Sequence, residues 1–519
     1  MSDHTSRINR RRFLQGTAAI AAGSVVAGYS TIGALPTWAQ DPPFGCPVPA
    51  AGGIPFVAGS DTRPIILRRS ISSLSGAELT ELASAYAALR ALPLSDKRTW
   101  VLQADIHATN CHQCSNDNTQ IHGSWNFFPW HRAYLYYYER ILGSLVGNID
   151  GFRLPYWDWE NIRNLPTPYT TPGSSVNSLF DAKRDVGLAG GGNLPAFDGT
   201  ASRVKTLLGM TDFPTFGGDA FSSGGCEDDP HNIIHTDVGL GGGNDMGTLA
   251  FAARDPLFFA HHCNIDKLWS KWNSLTSKKL PPTAYHNPTD ASFLNARWSF
   301  YDENQQVVSI SAADVLDHRS NLRYTYVNEF IIPPYIVAYI CQLLCCQPPP
   351  EVGPIIGINE EARTILLSQA GANFPAALVL HGVVVPRQFT GTFDIFATRT
   401  NKRTLLGAIS FFGDEAIHEL AQSTERRPKT LVLDITTSLA DLLSKTNPAT
   451  IQVFKRKRRK AEDEDRDHDH DKDRDEAQRR REGRQQEREE KHERHEEEEH
   501  EEKPAFVLSA ASAEIRVQR

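Results

Sequence analysis

Two short stretches of this chain carry six histidines whose spacing limits what it can fold into more than any other feature. The first stretch, residues 103–132, reads QADIHATNC…QIHGSWNFFPWHR and offers His107, His122 and His131. The second, residues 230–266, reads PHNIIH…ARDPLFFAHHCNID and offers His231, His235 and His262. Residues four apart share one face of a helix, so His231 and His235 can point the same way. His131 follows Pro129-Trp130 at a helix start, where proline is tolerated because its missing N–H has no helical partner to lose. A lone HxxxH pair is weak evidence. Two separate sets of three, each embedded in aromatic sequence, require a fold that brings them together.

Three imidazoles on a metal ion leave open positions facing a neighbouring ion, where dioxygen can bridge. Neutral imidazole suits both Cu(I) and Cu(II), whereas carboxylates favour harder ions and thiolates are oxidised or hold copper reduced. The expectation is therefore two copper ions, one on His107, His122 and His131 and the other on His231, His235 and His262. Such a pair implies oxidation chemistry.

At 519 residues the chain exceeds one ordinary core, so two domains are expected. An apolar content of 40% suffices for filled interiors, and a net charge of −8 without a basic stripe gives no ground for nucleic-acid binding. The N-terminus reads as a targeting segment. Arg10, Arg11 and Arg12 precede Phe13-Leu14, a small-residue apolar run follows from Gly16 to Leu35, and a polar start comes after Ala39. The RRRFL core resembles a twin-arginine signal, and its Gly-rich run is too weakly hydrophobic for stable membrane insertion. Residues 1–39 are thus expected to direct export to the periplasm or the exterior. Cys46 and Cys114 are candidates for a disulfide; Cys341, Cys345 and Cys346 form a tight cluster open to a local disulfide or a metal.

Residues 40–70 read as an extended Pro- and Gly-rich arm. A helix is expected from Ser75 to Leu92, with Leu79, Leu82, Tyr86 and Leu89 on one face. Others start at Pro129 and near His231, and a further one spans Pro256 to about Leu275. Between 160 and 225, Gly, Pro, Ser and Asn indicate long loops. The expected fold class is a mainly α catalytic domain, residues 40–330, in which a four-helix bundle holds the histidines. Beyond residue 290, short β-branched segments such as AALVLHGVVV, TGTFDIFATR, KTLVLDITTS and TIQVFKR are bounded by turn residues and indicate strands. Residues 331–355 read as a Pro-rich linker and 356–519 as a C-terminal all-β, sandwich-like domain. A charged insertion at 455–503 cannot form a core. After it, PAFVLSAASAEIRVQR alternates again as a last strand returning to the sandwich.

These motifs carry a family likeness. Through QADIHATNC, QIHGSWNFFPWHRAYLYYYERIL, LPYWDWE, EDDPHNIIH, NDMGTLAFAARDPLFFAHHCNIDKLW and ASFLNARWSFYDENQQVV, the chain resembles tyrosinases and plant-type polyphenol oxidases, which are type-3 copper proteins. GTFDIFATR and the closing strand extend the likeness into the C-terminal half. Of the pair His261 and His262, the family's HxxxD pattern selects His262 as ligand and leaves His261 as a packed or hydrogen-bonded neighbour. Cys111 matches the cysteine that forms a thioether with the second histidine of the first set, here His122. Glu227 matches a glutamate that holds an active-site water, and Asn232 matches the asparagine that polarises it. Leu249 falls at the position of a gate residue above the second copper.

The resemblance implies oxidation of monophenols and o-diphenols to o-quinones, with small phenols and dioxygen as partners. It also implies a latent proenzyme, shielded by the C-terminal domain until a protease cuts it. Free phenol ionises near a pKa of ~10, so a base is needed at neutral pH. Water held by Glu227 and Asn232 would serve, and the presence of both residues favours activity on monophenols. A catechol oxidase lacking that activity, a haemocyanin-like oxygen carrier and a non-catalytic copper module are the other readings.

Overall fold

The computed structural model describes residues 52–111, 121–170, 177–196, 198–239, 244–275 and 284–326 of the helical part. In the β part it describes 335–339, 355–356, 376–384, 391–399, 402–410, 412, 428–436, 449–456 and 512–518. The expected export segment, Cys46, Cys114, the cysteines at 341, 345 and 346, and residues 457–503 of the charged insertion lie outside the described residues.

Local signals set the helices. Helix α1 (Gly76–Ala91) starts at a capping box, in which the Ser75 side chain accepts from Glu78 N–H and the Glu78 carboxylate accepts from Ser75 N–H at 2.8 Å. Leu82, Ala85, Tyr86 and Leu89 form its buried face, and it ends just ahead of Pro93. Helix α2 (Trp100–Thr109) is capped by Thr99. Helix α3 (Phe127–Leu145) begins slightly ahead of the expected start, which leaves Pro129 within its first turn. It is buried on nearly every face, as a helix at the centre of a bundle must be. Helix α4 (Ala201–Leu208), capped by Thr200, lies where only loops were expected. Its apolar residues Val204, Leu207 and Leu208 have helical spacing, but Gly- and Pro-rich flanks hid the signal. Helices α5 (Asn232–Val238) and α6 (Pro256–Ser274) follow, the second capped by Asp255 with Pro256 in its first turn.

A buried ion pair joins α3 to α6: Arg132 Nε donates to Asp266 Oδ1 at 2.6 Å. The other oxygen of Asp266 accepts from Tyr324 at 2.6 Å, Tyr326 at 2.8 Å and Arg68 at 3.3 Å. Burial alone would raise the Asp266 pKa, but Arg132 and Arg68 outweigh it and hold the carboxyl below its ordinary value.

Strands β1 (Arg297–Tyr301) and β2 (Val307–Ser311) make an antiparallel hairpin with Phe300 opposite Val308. Phe300 packs on Trp130 of α3, with ring centroids 5.6 Å apart. The remaining strands are β3 (Tyr335–Tyr339), β4 (Ile355–Ile356), β5 (Ala376–Val383), β6 (Thr392–Arg399), β7 (Lys402–Ser410), β8 (Lys429–Asp434), β9 (Ala449–Lys455) and β10 (Ser512–Gln518). They form two four-stranded antiparallel sheets, ordered β7-β6-β9-β4 and β8-β5-β10-β3. The closing segment is the strand β10, inserted between β5 and β3.

Two expected boundaries shift. Strand β3 lies inside the stretch 331–355 read as a linker, because YIVAY is β-branched and aromatic and finds β10 as a partner. Arg456, inside the stretch 455–503 read as a solvated insertion, is held by carboxylates instead. It donates to Asp394 of β6 at 2.6 Å and to Asp237 of α5 at 3.2 Å, and it pairs with Asp198. Charge-assisted bonds of this kind keep a guanidinium at an interface.

The described residues fall in one compact unit, so the sheets pack directly on the helical part. Lys429 Nζ of β8 donates to Asp228 at 2.8 Å, and the Thr236 and Ser410 hydroxyls are 2.5 Å apart. Arg203 of α4 pairs with Asp229 and donates to the Leu406 carbonyl at 3.2 Å. Among the described residues, no helix is long and apolar enough to cross a membrane.

Candidate metal centre

Each of four helices delivers a histidine to the same interior space. His107 is on α2, His131 on α3, His235 on α5 and His262 on α6, while His122 precedes α3 and His231 closes a kinked turn, Glu227–His231, that leads into α5. All six are 3% exposed or less. Donor atoms of His107, His122 and His131 lie within 4.8 Å of one another, as do those of His231, His235, His261 and His262. The two groups abut: the His131 and His262 rings stack at 4.2 Å, and His122 and His231 stand 5.8 Å apart.

Backbone carbonyls decide which nitrogen of each ring faces inward. A carbonyl only accepts, so the Nδ1 atoms of His131 and His235, each 2.8 Å from the carbonyls of Phe127 and Met246, carry protons. His131 Nε2 is then a bare nitrogen, buried without a hydrogen-bond partner. In the second group, His231 Nδ1 meets Asn232 Oδ1 at 2.9 Å. Its Nε2 and that of His235 lie 3.3 and 3.2 Å from His262 Nε2. Burial pushes the pKa of His131 and His235 down to about 3, and it pushes the other four well below the ordinary value. The rings are therefore neutral, and donor nitrogens gathered this closely could hold a metal ion in each set. Neutral, all-nitrogen donor sets fit copper.

His261 is in the second group by distance but not by chemistry. The Trp159 indole N–H, which can only donate, points at His261 Nδ1 at 3.2 Å. The proton of the neutral ring must then be on Nε2. His261 has no lone pair left for a metal, and that excludes it independently of any sequence pattern. Trp159 falls in the LPYWDWE motif, yet nothing in the sequence assigned it this task.

The other expected residues take up defined places. Cys111 Sγ lies 3.3 Å from His122 Nδ1 and 3.7 Å from His107 Nε2. Glu227 is buried, and its Oε1 accepts from the Gly123 N–H at 2.7 Å, next to His122. Asn232 is turned toward His231 through Oδ1 and toward Asp228 through Nδ2, at 3.4 Å. Leu249 is buried in the run between α5 and α6. That run reaches the second set through Met246, whose carbonyl meets His235.

One side chain packed on the histidines escaped the sequence reading. Phe412, just beyond β7, stacks on His235 with centroids 4.1 Å apart and rings inclined by 8°. It also stands edge-on to His231 at 5.9 Å and to His122 at 6.4 Å. The pair Phe411-Phe412 at a strand end, off the strand's alternation, was the available signal.

Two adjacent, buried three-imidazole clusters in a helical core, capped by a β domain, define a binuclear metal-site protein. Residues 97–195 and 192–275 match the common central domain of tyrosinase, and 287–333 match the polyphenol oxidase middle domain. Residues 97–333 thus carry the central and middle domains of the tyrosinase and polyphenol oxidase family. The chain is 34% identical to a chloroplastic polyphenol oxidase of Vitis vinifera, over 54% of this chain and 50% of that one. It is 36% identical to a latent-form chloroplastic polyphenol oxidase of Prunus armeniaca, over 48% and 46%. The chain thus spans about half the length of these relatives. In fold it is similar to a latent aurone synthase (polyphenol oxidase), with a TM-score of 0.59 at 24% identity over 79% of this chain and 90% of that one. A latent apple tyrosinase gives a TM-score of 0.55 at 22% identity over 77% and 96%.

Proposed function

We propose that this protein oxidises monophenols and o-diphenols to o-quinones with dioxygen, and that its C-terminal β domain keeps it latent. The observation that carries the proposal is Phe412 stacked on His235 over two facing imidazole clusters. His107, His122 and His131 would hold one copper ion, and His231, His235 and His262 the other. When bound, a copper pair supplies dioxygen binding and two-electron transfer.

The chain's own residues prepare that chemistry. Phe127 and Met246 fix ring tautomers through their carbonyls, and Asn232 does the same for His231 through its side-chain oxygen. Glu227, anchored by Gly123, would hold at Oε2 the water that takes the phenol proton. A thioether between Cys111 and His122 would fix that ring and leave no free thiol beside an oxidising centre. Leu249 would leave more room for bulky phenols than a larger gate residue. Phe412 occupies the face of His235 that a substrate ring would approach. Residues 1–39 would export the folded, metal-loaded protein to the periplasm or exterior, and a protease acting between 330 and 360 would unshield it.

The test is oxygen uptake by the copper-loaded chain on tyrosine and then dopa, before and after limited proteolysis. Uptake that rises on cleavage supports the reading. Loss of uptake on tyrosine alone would indicate a catechol oxidase, and reversible oxygen binding without turnover a carrier. Peptide mapping of the same sample should find Cys111 and His122 on one crosslinked peptide, and separate peptides would remove the thioether.

A further inference from the structure

Aromatic rings run in continuous contact from the first histidine set to a polar cluster of the helical part. Trp130 precedes His131, and its ring lies 4.9 Å from that imidazole and 5.8 Å from His107. Tyr134, one turn further along α3, stands 4.9 Å from Trp130. Phe300 of β1 packs 5.6 Å from Trp130 and 5.5 Å from Tyr137, and Tyr137 stands 4.9 Å from Tyr136. Every step is an ordinary centroid distance for aromatic rings in contact. At the far end the Tyr136 hydroxyl donates to Asp61 Oδ2 at 2.9 Å. Arg63 holds the same carboxylate, as does Arg140, whose side chain is 19% exposed and brings the cluster to solvent.

The two ends of this path differ in what they can do with a proton. Trp130 is fully buried, and its indole N–H meets no acceptor among the described residues. An indole that loses an electron there keeps its proton, and its radical cation stays oxidising enough to draw on the next ring. Phenylalanine is harder to oxidise than its neighbours, so Phe300 only bridges them. A tyrosine radical cation is a strong acid, and it settles as a neutral radical wherever a base stands ready. Tyr134 donates to the Gln103 carbonyl at 2.6 Å, and an amide oxygen does not keep a proton. Tyr136 faces a carboxylate. Burial raises the Asp61 pKa, yet Arg63 outweighs it and holds the carboxyl below its ordinary value, so Asp61 is ionised at neutral pH.

We propose that Trp130 and Tyr137 relay oxidising equivalents from the metal centre to Tyr136, which holds them as a neutral radical once Asp61 has taken its proton. One electron leaves Tyr136 and passes through Tyr137 and Trp130 to the centre, where it reduces an oxidant formed at the copper pair from dioxygen or hydrogen peroxide. The hydroxyl proton of Tyr136 moves to Asp61 Oδ2 in the same step. The inference rests on reading the centre as a copper pair that activates oxygen. It goes further in giving the chain a reaction that needs no phenol. A centre closed to phenols by the β domain would otherwise meet such an oxidant with its own imidazoles.

The test uses the full copper-loaded chain, given hydrogen peroxide without any phenol, frozen and read by electron paramagnetic resonance. An organic radical should appear that the metal-free chain, treated alike, does not give. Ring-deuterated tyrosine built into the chain should narrow the signal, and ring-deuterated tryptophan should leave it unchanged. Tyr136→Phe should abolish it while copper content, Tm and the initial rate of oxygen uptake on dopa stay as in wild type. Trp130→Phe should abolish it with both copper ions retained, and Asp61→Asn should abolish it by removing the base. A tyrosyl signal that persists in Tyr136→Phe, or no organic radical beyond that of the metal-free chain, overturns the proposal. A radical without phenol oxidation keeps the relay and removes the proposed activity. Phenol oxidation without a radical removes the relay alone.

Discussion

His131 and His235 give their Nδ1 protons to the carbonyls of Phe127 and Met246, and this turns each Nε2 inward. The same reasoning removes His261, whose Nδ1 is taken by the Trp159 indole. A single hydrogen bond thus separates two adjacent histidines into a proposed ligand and a residue that supports one. Copper measured per chain should fall to one ion in His262→Ala and stay at the full pair in His261→Gln. Equal losses in the two variants would refute the tautomer assignment. At this scale the sequence was informative about the six rings, because spacing and aromatic context are local. It was silent on Trp159, because that indole lies more than a hundred positions from the ring it meets.

Helices α3 and α6 are held together at Arg132 and Asp266, with Tyr324, Tyr326 and Arg68 closing around the same carboxylate. His131 and His262 flank this crossing on their respective helices, so the pair keeps the two stacked rings in register. Asp266→Asn should cost about 3–5 kcal/mol, the usual penalty for breaking a buried pair, and lower Tm at neutral pH. The native carboxyl titrates below its unfolded value of 3.8. Its contribution is complete above that value and is lost as pH falls through the lower native pKa. The Tm gap between wild type and variant should therefore be constant above pH 3.8 and close in stronger acid. A gap that persists there would mean that the charge pairing is not the cause. Apolar spacing and proline starts made the helices at 76–91, 127–145 and 256–274 legible, whereas the short α4 was obscured by its Gly- and Pro-rich surroundings.

The molecule as a whole is a helical core with its reactive face under a β domain, held there by Lys429, Arg456, Ser410 and Phe412. Phe412→Ala in the uncut chain should raise the initial rate of oxygen uptake on dopa about fivefold, since a stacked ring pair contributes on the order of 1 kcal/mol beyond its buried area. A rate unchanged from that of the uncut wild type would show that latency does not depend on this ring. Gly225 marks how closely the two parts pack, because a Cβ there would come within 2.5 Å of Val432 Cγ2.

By itself the sequence determined the helical periodicity, the two histidine sets, the alternating strands and the family likeness, since all of these are written in spacings of a few residues. Only the tertiary structure decided which of two neighbouring histidines has a lone pair to offer, which β-domain residues cover the site, and that Arg456 belongs to an interface and not to solvated chain. Those outcomes depend on which groups meet after the chain has closed loops of a hundred residues or more, and pairings between such distant groups leave no local pattern to read.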